Sequence, residues 1–231
     1  MAKKTVKQEE GSIDVTKQLG NAEQFLDKNK KAIAVIVGAV VLIVGGFFAY
    51  KKLYAQPREE QAQTDMFQAQ YYLEKDSFNL ALNGDSAGNK GFLTIIDEFG
   101  GTDAGNLAKH CAGICYINMG KFDDAITSLE DYSSTGDLFV DAQNLGLQGD
   151  AHMEKGDVDE AIELYKKAAD KSDNDFTAPI YLMKAAGALE DKKDFKGALE
   201  LYERIRDNYS LSREGQEVEK HISRTKILAG V

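Results

Sequence analysis

Residues 120–126 read GKFDDAI, residues 156–162 read GDVDEAI and residues 193–199 read KDFKGAL. The second copy follows the first by 36 residues and the third follows the second by 37. Seven residues before the start of each copy stands a small residue: Gly113, Gly149 and Ala186. Four residues beyond the alanines Ala125, Ala161 and Ala198 come Leu129, Tyr165 and Tyr202. A self-similar period of this length marks stacked supersecondary units. The Gly or Lys-Asp step ends one helix and starts the next. The small residue and the alanine let the two helices of a unit approach, and Phe122, Val158 or Phe195 wedges between them. No such pair buries its apolar face alone, so neighbouring pairs stack.

Period and pattern together resemble tetratricopeptide repeats, although Trp is absent from the chain. Upstream, Arg58 to Leu82 reads as a long helix, introduced by Pro57 at its first turn. A turn at Asn83-Gly84-Asp85 and a short helix over Gly91–Phe99, ended by Gly100-Gly101, complete an irregular first pair. Ser212 to Leu228 reads as a polar capping helix with Ser212 as its cap. The expected fold is therefore all-α, a solenoid of about four helix pairs plus a capping helix. Solenoids that resemble this one line a groove with the first helix of each pair. In register, the groove candidates are His110, Ile114, Ile117 and Asn118, then Asp150, Met153 and Glu154, then Met183, Gly187 and Glu190. The same positions could instead face solvent or a neighbouring helix. The set mixes apolar and acidic residues and lacks a Lys/Asn/Arg cluster for gripping a C-terminal carboxylate. Apolar or basic extended segments would suit it better.

Ahead of the repeats, Ala32–Tyr50 reads AIAVIVGAVVLIVGGFFAY, 19 residues without a charge. At ~1.5 Å per residue these make a helix of about 28 Å, close to the ~30 Å hydrocarbon core of a bilayer. Lys28, Lys30 and Lys31 flank one side and Lys51 and Lys52 the other, with Phe47, Phe48, Tyr50 and Tyr54 at the distal end. Lysines and aromatic rings are the usual interfacial anchors. A cleaved signal peptide would carry a shorter apolar core and a small-residue cleavage site, which Phe-Ala-Tyr-Lys-Lys does not supply. Within the span, Ala34, Gly38 and Gly45 form a small-residue stripe. It suits close contact with another membrane helix, and it also matches the ordinary glycine content of membrane helices. Before the span, Val15, Leu19, Ala22 and Leu26 line one helical face. That face would lie on the membrane surface, meet a cytoplasmic partner, or simply extend the anchor.

Charge orients this arrangement. Residues 1–52 carry nine lysines against five acids, a balance of +4; the remaining 179 carry 19 basic against 33 acidic residues, a balance of −14. The whole-chain net charge of −10 and mean hydropathy of −0.39 average over two unlike parts. The positive arm is expected to stay in the cytoplasm while the long acidic part crosses. Three regions follow: a cytoplasmic arm with an amphipathic helix over 1–31, a transmembrane helix over 32–50, and a periplasmic solenoid over 51–231, in a single-pass inner-membrane protein. Strong acidity also disfavours nucleic acid as a partner.

Catalytic motifs are missing. His110, His152 and His221 fall in no metal-ligand spacing. Cys111 and Cys115, one helical turn apart, are too few for a zinc site and badly placed for a disulfide, and read as packing residues. Gly100–Gly105 lacks the Lys-Ser/Thr of a phosphate loop, and Asp157–Glu160 and Asp173–Asp175 lack the ordered ligand series of a calcium loop. No cofactor and no enzymatic activity are expected.

With its single anchor Ala32–Tyr50, the Phe-Gly-Gly-Thr turn Phe99–Thr102, and the repeat core Gly113, Tyr116, Gly120, Phe122 and Ala125 with its later copies, the chain resembles YfgM-like proteins. Those are membrane-anchored tetratricopeptide proteins that accompany the Sec translocon. The resemblance implies a non-enzymatic scaffold whose partners are translocon subunits, a periplasmic chaperone, translocating polypeptides and the lipid bilayer. The alternative is a structural adaptor tethering another cell-envelope assembly.

Overall fold

A computed structural model describes residues 15–231, and the side chains of 15–23 and of Asp27 lie outside that description. The chain divides into two compact units, the first ending at Gln56 and the second running from Pro57 to Val231.

In the first unit, α1 (Val15–Tyr50) is followed by a π-helical turn, Lys51–Ala55. The juxtamembrane segment and the apolar span expected from the sequence belong to this one helix. The amphipathic face of Val15, Leu19 and Ala22 and the arm before Val15 fall outside the described side chains. An 18-residue window has a mean hydropathy of 2.8 and none of it is buried, so this is a helix long and apolar enough to cross a membrane. Val35, Ile36, Val37, Val40, Leu42 and Ile43 are exposed in succession, giving an apolar surface all round the helix. Ala34 is exposed, and the space beside Gly38 and Gly45 is open.

The second unit is helical throughout: α2 (Gln56–Glu74), α3 (Phe78–Asn83), α4 (Phe92–Phe99), α5 (Asp103–Asn118), α6 (Phe122–Glu130), α7 (Leu138–Lys155), α8 (Val158–Lys171), α9 (Ala178–Asp191), α10 (Phe195–Asn208), α11 (Arg213–Glu217) and α12 (Glu219–Ala229). From α4 to α10 each helix packs on the next, and α12 closes over α10. There is no strand among the described residues.

The turns within the repeats form by one mechanism. Gly120, Gly156 and Lys193 all take left-handed backbone, at φ +70°, +86° and +63°. At each, two backbone bonds close the preceding helix. The Gly156 N–H donates to the Met153 carbonyl and the Asp157 N–H to that of His152; Lys193 and Asp194 donate likewise to Glu190 and Leu189. This is a Schellman closure, and it satisfies carbonyls that a helix end leaves open. Lys193 takes the position without glycine's freedom, at a cost of roughly 1 kcal/mol.

The close approach of paired helices also follows the repeat pattern. A Cβ on Gly113 would lie 2.5 Å from Leu129, and one on Gly149 would lie 2.6 Å from the Tyr165 ring. In the third copy Ala186 and Tyr202 are both buried at the corresponding positions.

Two differences from the sequence reading stand out. The long helix expected over Arg58–Leu82 stops at Glu74. Asp76 is left-handed at φ +54°, and the Ser77 N–H donates to the Tyr72 carbonyl, so the same closure operates with no glycine to announce it. The capping segment is two short helices, α11 and α12, rather than one; the Ser212 hydroxyl does cap the first, accepting from the Gly215 N–H at 2.8 Å. The irregular first pair nonetheless has a full core, in which Ala62, Met66 and Ala69 of α2 join Phe92, Ile95 and Phe99 of α4 and Ala104, Ala108, Cys111 and Cys115 of α5.

Candidate protein-binding surface

Most of the ten expected groove residues are engaged within the repeats. His110 is buried; its Nδ1 lies 3.1 Å from Asn144 Oδ1, and Asn144 in turn donates to the Leu129 carbonyl at 2.9 Å. Burial pushes the imidazole pKa down, and the Asn144 contact makes His110 a link between two repeats. Ile114 and Ile117 are half-buried; Asn118 is exposed and donates to the Ile114 carbonyl. Asp150 accepts from the Tyr165 hydroxyl at 2.7 Å and from Lys184 Nζ at 2.6 Å, and that ammonium also sits over the Tyr165 and Tyr181 rings. Met153 and Met183 pack against the core of the last repeats. Glu190 accepts from the Thr225 hydroxyl at 2.6 Å and from Arg224 at 2.5 Å, tying α9 to the capping helix α12. Glu154 is exposed, and open space surrounds Gly187.

Four of the exposed apolar side chains lie at the edge where one repeat turns into the next. Leu138 is 55% exposed, Phe139 49%, Phe176 69% and Ile180 37%. The Phe139 and Phe176 rings are neighbours, with centroids 6.3 Å apart and planes inclined at 31°. Each ring stands ten residues before a repeat's small residue, Phe139 before Gly149 and Phe176 before Ala186. Each is held the same way. Asp137 Oδ1 accepts from the Phe139 N–H at 3.0 Å, and Asn174 Oδ1 accepts from the Phe176 N–H at 2.9 Å. An Asp or Asn side chain bonding the backbone two residues on is a turn-former in its own right. The sequence signal was the repeated Asx-x-Phe, Asp137-Leu138-Phe139 and Asn174-Asp175-Phe176, which lies outside the repeat core used to find the register.

The buried carboxylate of Asp141 holds the loop that leads into this edge. Tyr132 and Ser134 donate their hydroxyls to it, Thr135 its backbone N–H, and Lys171 forms an ion pair at 3.1 Å. Burial alone would raise its pKa; the bonds from Ser134, Lys171 and Tyr132 outweigh that and hold it down at about 2. Beside the edge, Met66, Leu107, Tyr132 and Val140 line a cleft of about 380 Å³ rimmed by Glu59, Asp103 and Asp137.

Among the described residues no group of His, Cys, Asp or Glu could hold a metal ion. Cys111 and Cys115 are buried and free, and desolvation pushes both thiols up to about 12, which leaves them unreactive packing groups as their spacing suggested.

Stacked helix pairs, left-handed inter-helix turns and a capped C-terminal end define a helical-repeat solenoid. The tetratricopeptide-repeat family model matches residues 113–176 and again 147–212, so the repeats over this stretch are similar to tetratricopeptide repeats. Two crystal structures of nearly identical TPR-like repeats from a Podosopora anserina protein described as a putative kinesin light chain, one of them a point variant, have the same architecture. Both superpose with a TM-score of 0.54 over 74% of this chain and 88% of theirs, at 14% and 13% identity. That likeness is one of fold. No curated protein matches the chain.

Proposed function

We propose that this protein is a non-enzymatic, membrane-anchored scaffold that holds other polypeptides on its solenoid beside a protein-export channel. The observation that carries the binding role is the pair of exposed aromatic side chains at equivalent repeat positions, Phe139 and Phe176. Large exposed apolar residues grouped on a folded surface favour a protein partner. Tetratricopeptide repeats imply protein partners in general. Anchoring is supported by the apolar helix α1, and the periplasmic placement of the solenoid by the positive arm and the −14 balance beyond it. The link to the Sec translocon and a periplasmic chaperone rests on the resemblance to YfgM-like proteins. In that setting α1 docks near the channel and the acidic solenoid keeps apolar stretches of an emerging chain from aggregating.

Mild-detergent pull-down of the full chain tests this reading. Recovery of translocon subunits is the expected result. Recovery of other envelope-assembly proteins without translocon subunits would replace it with the adaptor role. A reporter fused after Val231 should be inactive in its cytoplasmic form; cytoplasmic activity would overturn the orientation.

A further inference from the structure

The solenoid edge, rather than the inner faces of its helices, carries the surface best suited to a ligand. Asp150 and Glu190, expected to line a groove, are engaged by Lys184 and by Arg224 and Thr225, and His110 is buried. At the edge, Phe139 and Phe176 present two rings 6.3 Å apart, and Leu138 and Ile180 in the same turns and helix starts are exposed as well. Side chains two residues apart on one face of an extended chain stand about 6.6 Å from each other. The rings therefore match successive same-face side chains of an extended segment. Carboxylates flank the rings: Asp137 and Asp175, both exposed, precede Phe139 by two residues and Phe176 by one. The nearby lysines are committed elsewhere, Lys171 to Asp141 and Lys184 to Asp150. The edge is thus apolar at its centre and acidic around it, within a unit whose overall balance is −14.

We propose that this edge binds an extended polypeptide segment with apolar residues at alternate positions and Lys or Arg on either side. Apolar side chains lie over the two rings, and the flanking cations meet Asp137 and Asp175. The proposal rests on the reading that the solenoid holds polypeptides, and it names the subsite and the chemistry of the segment.

The test uses the full chain in lipid nanodiscs and a fluorescent twelve-residue peptide alternating Leu and Ser between Lys pairs. A second peptide carries Glu pairs instead. The Lys-flanked peptide is expected to bind at least tenfold tighter than the Glu-flanked one, with the difference shrinking at high salt. Phe139→Ser with Phe176→Ser should lower affinity at least tenfold while the circular dichroism and thermal midpoint stay unchanged. Asp175→Asn alone should weaken binding two- to fivefold, and Glu154→Gln, at an expected groove position away from the rings, should leave it unaltered. If the double variant binds within twofold of the parent, the edge proposal fails while the holding of polypeptides stands. If the parent binds neither peptide, both fail. If the parent binds neither peptide but self-associates, and the double variant abolishes that association, the edge is an interface between copies and the proposal is overturned.

Discussion

The positions expected to line a groove and the edge between repeats differ in how their side chains are used. At the positions expected to line a groove, polar groups join each repeat to its neighbour or to the capping helix: His110 to Asn144, Asp150 to Lys184, Glu190 to Arg224 and Thr225. At the edge, Phe139 and Phe176 are held by backbone turns yet remain about half or more exposed. A tetratricopeptide register alone would place binding on the first kind of surface. The contrast teaches that a register says where side chains can point, while binding depends on which of them the fold leaves unused.

The largest effect expected on this contrast comes from the buried carboxylate behind the edge. Asp141→Ala should destabilise the solenoid by about 3 kcal/mol, because it strands Lys171 and releases the loop held through Tyr132, Ser134 and Thr135. Urea titration followed by tyrosine emission measures it. The same group makes a pH prediction. Its pKa is lowered to about 2 in the fold, so its contribution is complete above the ordinary carboxylate value near ~4 and is lost as the pH falls from there through about 2. Asp141→Ala should flatten that part of the acid-unfolding curve.

Next in size is the helix approach on which stacking depends. Gly149→Ala places a methyl 2.6 Å from the Tyr165 ring and should cost about 2 kcal/mol. Thermal unfolding of the variant checks this; an unchanged midpoint would show that the pair of helices is looser than the contact implies. A smaller change of opposite sign is expected at Lys193, which occupies the left-handed site that glycine fills in the other two copies. Lys193→Gly should stabilise by roughly 0.5–1 kcal/mol, read from the same thermal unfolding. The smallest effect belongs to the edge itself. Phe139→Ser and Phe176→Ser should each move stability by less than about 0.5 kcal/mol, since each ring is already about half or more exposed. A large loss would mean that the rings support the fold and would erase the distinction between the two surfaces.

Much of the architecture was legible because the repeat is a packing device written in residue size. Gly113, Gly149 and Ala186 against Leu129, Tyr165 and Tyr202 announce two helices in contact, and Gly120 and Gly156 announce the turn. The break after Glu74 was not legible, because Asp76 adopts left-handed backbone without glycine and the apolar pattern runs on into α3. The binding surface was the least legible part. Whether His110, Asp150 or Glu190 faces a groove depends on partners 34 or 35 residues away in the neighbouring repeat, Asn144, Lys184, Arg224 and Thr225. Those long-range bonds leave no local mark. The edge did leave one, in the doubled Asx-x-Phe, but it lay in the turns and not in the helical repeat that set the register.

Site-specific photo-crosslinking in intact cells tests most directly whether partners are held at the edge. A photoreactive phenylalanine analogue replaces Phe176 in one full-length chain and Glu154 in another. Crosslinks are expected from position 176 to polypeptides bearing apolar stretches flanked by Lys or Arg, and few or none from position 154. Crosslinks as strong or stronger from position 154 would contradict binding at the edge and return the binding surface to the inner face.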